Sequence, residues 1–317
     1  MSKRNKYNSL IGVLQHFSDE KVCLEHLENL RWPDGKPSCP HCENEKVYRF
    51  KDGKRFKCAK CRKQFTAKVG TIFEGSNLPL SKWFAAIYLA TSHKKGISSH
   101  QLAKDLSISQ KSAWHVLHRI REMVKEKDAS MLNHTKDAEY ELDEHFYGGL
   151  EKNKHANKQT ENAQGRSTKT KTPIFAIIKR GGNVVVKPVK DTSAGTLVPI
   201  MREYLPEGST VYTDEWLAYR DLGRIYNHEV VKHSSGEYVS GSAHTNSIES
   251  FWAILSRSIV GIYHHVSDEH LGSYCDEVAF RFNTRKATEA ERFDLAIAQS
   301  DGRRLKWNDL VAKRKNV

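Results

Sequence analysis

The sequence predicts a multidomain α+β protein, and three observations predict it. Four cysteines in two close pairs mark a small ribbon near the N-terminus. Residues 78–130 carry apolar positions at helical spacing and little strand pattern. From about residue 137 short β-rich runs ending in glycine or acidic residues alternate with helical stretches.

Residues 1–35 form the first segment. Leu10, Val13, Leu14 and Phe17 recur at helical spacing, and "FSDEKVCLEHLENLRW" continues it, so two short helices are expected before "WPDGKPSCPHC" breaks the pattern. The ribbon, residues 36–70, holds Cys39, Cys42, Cys58 and Cys61 as C-x2-C-x15-C-x2-C. Each pair offers two thiolates from one turn. Strand-like runs either side of Asp52-Gly53 form a hairpin that brings the turns together. The result is a closed tetrahedral site, whose Zn²⁺ is structural. Lys46, Arg49, Lys51, Lys54, Arg55, Lys57, Lys60, Arg62 and Lys63 surround it and suit phosphate contact.

Residues 78–130 are expected to be helical. "SKWFAAIYLATSHKKG" reads as one amphipathic segment. "ISSHQLAKDLSISQKSAWHVLHRIREM" reads as helix-turn-helix. Ser98 or Ser99 caps a first helix burying Leu102, Ala103 and Leu106, and Ser107–Ser109 make the turn. The second helix buries Ala113, Val116, Leu117 and Ile120. Gln110, Lys111, His115, His118 and Arg119 are left more exposed, and Lys111, His115 and Arg119 are the candidate DNA contacts of a groove-reading helix. An ordinary helical hairpin is the alternative. Residues 136–286 follow as a mixed strand and helix domain, with a polar, basic loop at 151–172. Residues 287–317 are expected to be a basic C-terminal tail.

Composition narrows the partners. The net charge of +13 over 317 residues calls for a polyanion, nucleic acid first and an anionic membrane second. No stretch approaches the ~20 apolar residues of a membrane span. Paired Cys-x-x-Cys motifs fit metal binding in a reducing, cytoplasmic setting, here nucleoid-associated.

Three acids stand out. Asp143 lies in "ELDEHFYGG", Asp214 ends "TVYTD", and Glu249 lies in "HTNSIESFWAILSR". Two strands and a helix bringing carboxylates together can hold two Mg²⁺ (or Mn²⁺) ions for phosphodiester chemistry. On a helical wheel Ile248, Phe251, Trp252, Leu255 and Ile259 form the core stripe. Asn246, Glu249, Ser250, Ala253 and Arg257 fall opposite. Asn246-x-x-Glu249 is also a capping-box pattern, so periodicity leaves cap and ligand both open.

"LDEHFYGGLEKNKH", "VYTDEWLAY" and "HTNSIESFWAILSRSIVGIYHHVSDEHLGSYCDEVAFRFNTR", in that order behind a zinc ribbon, resemble the ISXO-like bacterial insertion-sequence transposases, of the insertion-sequence family numbered fifteen ninety-five. The resemblance implies a ribonuclease-H-like fold over 136–286 and a DDE-type polynucleotidyl transferase. It maps the metal-binding acids to Asp143, Asp214 and Glu249, with Asn246 as the other candidate at the third place. The 34 residues between Asp214 and Glu249 resemble the spacing of DDE enzymes and favour Glu249. It also implies double-stranded DNA partners (transposon ends and target) and a homo-oligomer on DNA. One departure stands out: Ser256 occupies the place of a lysine, with Arg257 next to it as the nearest cation. A non-catalytic DNA-binding regulator derived from a transposase, and a nuclease that cuts without joining, are the rival readings.

Overall fold

The computed structural model describes residues 7–126, 132, 134–135, 138–149, 155, 157, 159–161, 163, 167–231 and 245–312. The chain divides into two units, Met1–Lys125 with Thr284–Val317, and Glu126–Asn283.

The first unit opens with α1 (Leu10–His16), capped by Ser9, and α2 (Glu20–Arg31), capped by Asp19. A three-stranded antiparallel ribbon follows: β1 (Val47–Arg49), β2 (Arg55–Cys58) and β3 (Gln64–Thr66), in that order. Its hairpin turns on Gly53 at φ +69°, and the Asp52 carboxylate accepts from the Lys54 and Arg55 amides. Phe56 and Phe65 stack beneath the sheet, with Trp32 edge-on to Phe56.

Helix α3 (Leu80–Ser92) departs from the amphipathic expectation. Ten of its thirteen residues are buried, so it is a central helix enclosed on every side. Helices α4 (Ser99–Leu106) and α5 (Gln110–Val124) form the expected helix-turn-helix. Ser98 and Ser109 cap them, and Ser107 makes the turn in the left-handed region at φ +50°. Leu102, Ala103, Leu106, Ala113, Val116, Leu117 and Ile120 are buried, as their spacing requires.

The second unit is built on a five-stranded sheet. Its elements are β4 (Glu139–Tyr147), β5 (Thr172–Lys179), β6 (Val184–Pro188), α6 (Ala194–Tyr204), β7 (Thr210–Thr213), β8 (Asn227–Val230), α7 (Asn246–Ser258) and α8 (Asp268–Asn283). The strand order is β6-β5-β4-β7-β8. The β6-β5-β4 part is antiparallel, and β7 and β8 run parallel to β4. This is the ribonuclease-H-like arrangement, with the first strand at the centre. One face packs Tyr140, Leu142, Phe175 and Ile177 against Leu197, Met201 and Tyr204 of α6. The other packs Ile174, Ala176 and Ile178 against Phe251, Leu255, Tyr274 and Val278 of α7 and α8. Of the basic loop expected at 151–172, residues 151–154, 156, 158, 162 and 164–166 lie outside the described residues.

The expected C-terminal tail is a correction. Residues from 284 return to the first unit and form α9 (Glu289–Ala298) and α10 (Trp307–Val311). A Thr288–Glu291 capping box starts α9, and Phe293 closes an aromatic cluster with Phe17 and Phe84. Periodicity in "TEAERFDLAIA" carried this signal beneath the basic composition.

Phe251 is fully enclosed between sheet and α8. Phe251→Ala is expected to lower the stability of the second unit by about 3–5 kcal/mol. Denaturant unfolding checks this, and a loss below about 1 kcal/mol contradicts the packing described.

Candidate active site

Strand alternation places Glu139, Glu141, Asp143 and His145 on one face of β4, toward α7. Tyr140, Leu142 and Glu144 point to the other face. In the parallel β4–β7 pair Glu141 stands opposite Tyr212. The ladder ends there; Asp143 lies two residues beyond Glu141 and Asp214 two beyond Tyr212, just past the end of β7, and the charges of both reach Tyr219. Adjacent strands lie about 4.8 Å apart, and both aspartates lie at the same end of this strand pair.

Each is held by named donors. One Asp143 oxygen accepts from the Trp252 indole at 2.9 Å, the other from the Glu144 amide at 2.8 Å. Asp214 accepts from the Trp216 amide at 3.0 Å, and the Trp216 indole donates to the Thr192 carbonyl. A carboxylate oxygen has two lone pairs, so one donor on an oxygen does not by itself exclude an ion there. Behind them Tyr219 is buried and donates to Glu144. Burial raises its pKa well above the usual value, and the charges of Glu144, Asp143 and Asp214 add to this. His145 stacks on Trp252 at 5.3 Å, and burial lowers its pKa, so the ring is neutral at pH 7.

Helix α7 confirms the wheel. Ile248, Phe251, Trp252, Leu255 and Ile259 are buried; Asn246, Glu249, Ser250, Ala253 and Arg257 are exposed. The capping box at its start is a correction. Asn246 is the first helical residue, Thr245 is the N-cap, and Thr245 makes no side-chain cap bond. The Ser247 and Ile248 amides instead donate to one oxygen of Glu141, at 2.9 and 3.0 Å. Its other oxygen accepts from Arg180 at 3.0 Å. Glu249 lies one turn before Trp252 on the adjacent, exposed helix surface. Arg257 leans back to the Ala253 carbonyl at 3.0 Å, toward the Glu249 end of the helix. Ser256 lines a cavity of about 130 Å³ with His145, Tyr147 and Leu255.

Sequence reasoning missed Glu141, Arg180, Trp252 and Tyr219 as parts of this site. One signal was present for Glu141: acids at 139, 141 and 143 alternate on one face of a strand, and buried acids require partners.

In the ribbon the four cysteine Sγ atoms all lie within 4.8 Å of one another. Cys39–Cys61 and Cys42–Cys58 are each at 3.6 Å. A tetrahedron with metal–sulfur bonds of about 2.3 Å has edges of about 3.8 Å, so the cluster fits Zn²⁺. The two knuckles share one hydrogen-bond pattern. The Glu43 amide bonds to Cys39 O and the Arg62 amide to Cys58 O, and both donors sit at positive φ, +59° and +58°. Among the basic residues Arg49 pairs with Glu28, and Arg55 with Asp52. Lys46, Lys51, Lys54, Lys57, Lys60, Arg62 and Lys63 are exposed.

On α5 the expected exposed face is partly corrected. Gln110 and Lys111 are exposed, but His118 and Arg119 are buried at 1% and 5%. Arg119 donates to the Ile72 and Glu74 carbonyls and lies over the Trp83 ring, so its guanidinium is spent inside the unit. The α10 segment covers the neighbouring surface. Trp307 lies against Trp114 and His115, with the Lys111 ammonium 4.6 Å over its ring.

The strand order and directions define a ribonuclease-H-like protein. Comparison with known proteins narrows this. Residues 137–283 match the ISXO2-like transposase domain, and residues 18–64 the transposase zinc-ribbon domain. The chain is 30% identical over 273 residues to an uncharacterized protein in transposable element ISH50 of Halobacterium salinarum, covering 82% of this chain and 90% of that one. It is 30% identical over 96 residues to an uncharacterized transposase-like protein of Haemophilus influenzae, covering 30% of this chain and 76% of that one. A pre-cleavage Mos1 transpososome structure aligns at 14% identity, over 70% of this chain and 80% of that chain; its TM-score of 0.17 carries no weight for the fold. The chain belongs to the ISXO2-like transposase family. Among the described residues no helix is long and apolar enough to cross a membrane.

Two predictions follow from these geometries. The purified, unoxidised protein is expected to carry about one zinc per chain, measured by atomic emission, and Cys42→Ser to reduce it sharply; chelation should unfold the ribbon. For α5, burial first and then the Arg119 charge lower the His115 pKa. The unfolded chain therefore binds the proton more readily, and this stability contribution, complete above about pH 6.5, is lost as pH falls. Trp307→Ala is expected to raise the His115 pKa toward that value, read by NMR titration of its ring protons.

Proposed function

We propose that the protein is a DDE-type DNA transposase that binds the ends of its element, cuts them and joins them to target DNA. What supports this is the placement of Asp143 and Asp214 at the same end of the β4–β7 pair, with Trp252 of α7 bonded to Asp143 and Glu249 exposed on the same helix. Among the described residues only the four cysteines gather three or more His, Cys, Asp or Glu ligand atoms within 4.8 Å. The wider acidic trio suits two Mg²⁺ or Mn²⁺ ions, with water completing their shells.

When bound, such ions activate the attacking oxygen and stabilise the leaving one. The reaction has two displacements. Water attacks the phosphorus at the transposon end, the P–O3′ bond breaks, and a 3′-hydroxyl is freed. That hydroxyl then attacks a target phosphodiester, forming a new P–O3′ bond and releasing a target 3′-hydroxyl. The protein's part is to hold carboxylates, phosphates and nucleophile in line. Trp252 orients Asp143, the turn at Trp216 orients Asp214, and Arg257 provides a cation near the expected phosphate path. The exposed ribbon lysines with Arg62, together with Lys111, suit backbone contacts that set the register of the ends. His115, half-buried beside Trp307, adjoins the same face. Joining needs two ends together, so a homo-oligomer on DNA is part of this reading, in a cytoplasmic, nucleoid-associated setting. Ser256 at the usual lysine position favours a second reading, a non-catalytic regulator.

A strand-transfer assay in Mg²⁺ or Mn²⁺, with duplexes ending in the inverted repeats that flank the gene, tests both. Asp143→Asn and Asp214→Asn are expected to lower cutting and joining by about a thousandfold or more, several kcal/mol of lost transition-state stabilisation. Unchanged joining in Asp214→Asn contradicts the assignment. Binding with neither cutting nor joining in the wild type supports the regulator, and cutting without joining a nuclease.

A further inference from the structure

Glu141 is fully buried, two residues before Asp143 on the same face of β4. Its oxygens accept from the Ser247 and Ile248 amides and from Arg180. Enclosed in this way, it is a poor ligand for an ion or for DNA. The Thr245 side chain leaves the first-turn amides of α7 without a local cap. Glu141 supplies that cap from a strand more than a hundred residues earlier in the chain.

We propose that Glu141 is a positioning residue, which fixes the start of α7, and with it Glu249, against the strand that carries Asp143. The inference rests on the metal-dependent reading above. Two tethers join β4 and α7. Glu141 holds the amides of Ser247 and Ile248, and Asp143 holds the Trp252 indole. Glu249 lies in the turn between them, so its Cα cannot shift relative to Asp143 without straining one. Arg180 completes the device. It bonds Glu141 and Glu139, and Tyr212 donates to Glu139, so the cap is braced by the strand next to β4.

The test uses the full, zinc-loaded chain and Mn²⁺ alone, with free Mn²⁺ read by electron paramagnetic resonance. Wild type is expected to bind Mn²⁺ and Asp143→Asn to lose it. Glu141→Ala is expected to weaken binding by about ten- to a hundredfold, the usual effect of removing a partner one step from the metal. Glu141→Gln, which keeps one acceptor oxygen for the two amides, is expected to recover part of that loss. Leu197→Ala, buried on the opposite face of the sheet, is the control for destabilisation and is expected to lower Tm while leaving Mn²⁺ affinity unchanged. Wild-type affinity in folded Glu141→Ala overturns the inference, as does an equal loss in Leu197→Ala. Should Glu141→Ala not fold, wild-type affinity in Glu141→Gln overturns it. A wild-type chain that binds no Mn²⁺, or an Asp143→Asn chain that binds as much, overturns the metal reading and this inference with it.

Discussion

The second unit depends on one buried carboxylate. Removing Glu141 from water is costly, and breaking such a pair by deleting one partner costs about 3–5 kcal/mol in general. The structure offsets the cost by satisfying both oxygens. From there the network runs through Arg180 to Glu139 and Tyr212, with the guanidinium 3.7 Å over the Tyr212 ring. The central strand thereby carries a polar row on a face that would otherwise be hydrophobic. A half-satisfied row would be worse than an apolar one. Complete pairing lets the sheet keep aspartates at a position where a core would place valines.

Much of the fold was legible because its signals are local. The C-x2-C pairs, the Asp52-Gly53 turn, the serine caps of α4 and α5, and the stripe on α7 each depend on residues within one or two turns. Asp143 was read within a strand and Asp214 at the end of one, and the resemblance supplied their partnership. What stayed hidden is non-local. No spacing rule connects Glu141 to the amides of Ser247 and Ile248, and the local Asn246–Glu249 pattern pointed to a cap that does not form. Arg119 looked exposed on a wheel drawn for two helices. The chain encloses it because the carbonyls of Ile72 and Glu74 and the Trp83 ring come from other segments. Strand β8 was missed because four residues, mostly exposed, leave little alternation to read.

The two halves use charge in opposite ways. In the second unit Glu139, Glu141, Asp143 and Asp214 are each held by neutral or cationic donors. In the first the ribbon displays lysines with few partners, a surface suited to a polyanion whose counterions are released on contact. Between these extremes α5 is the most constrained element. Its first turn is open, its middle faces Trp307, and its last turn is bonded by Arg303 through the Glu122 and Lys125 carbonyls.

The return of residues 284–312 to the first unit orders the birth of the protein. Phe17 and Phe84 emerge from the ribosome before the inserted unit, and Phe293, which completes their cluster, after it. The inserted unit, Glu126–Asn283, has all of its chain available before α9 exists. Domains fold as units during synthesis. The first unit is therefore completed only after the inserted one, and the nascent chain holds a complete ribonuclease-H-like unit before its ribbon-bearing companion has closed its core.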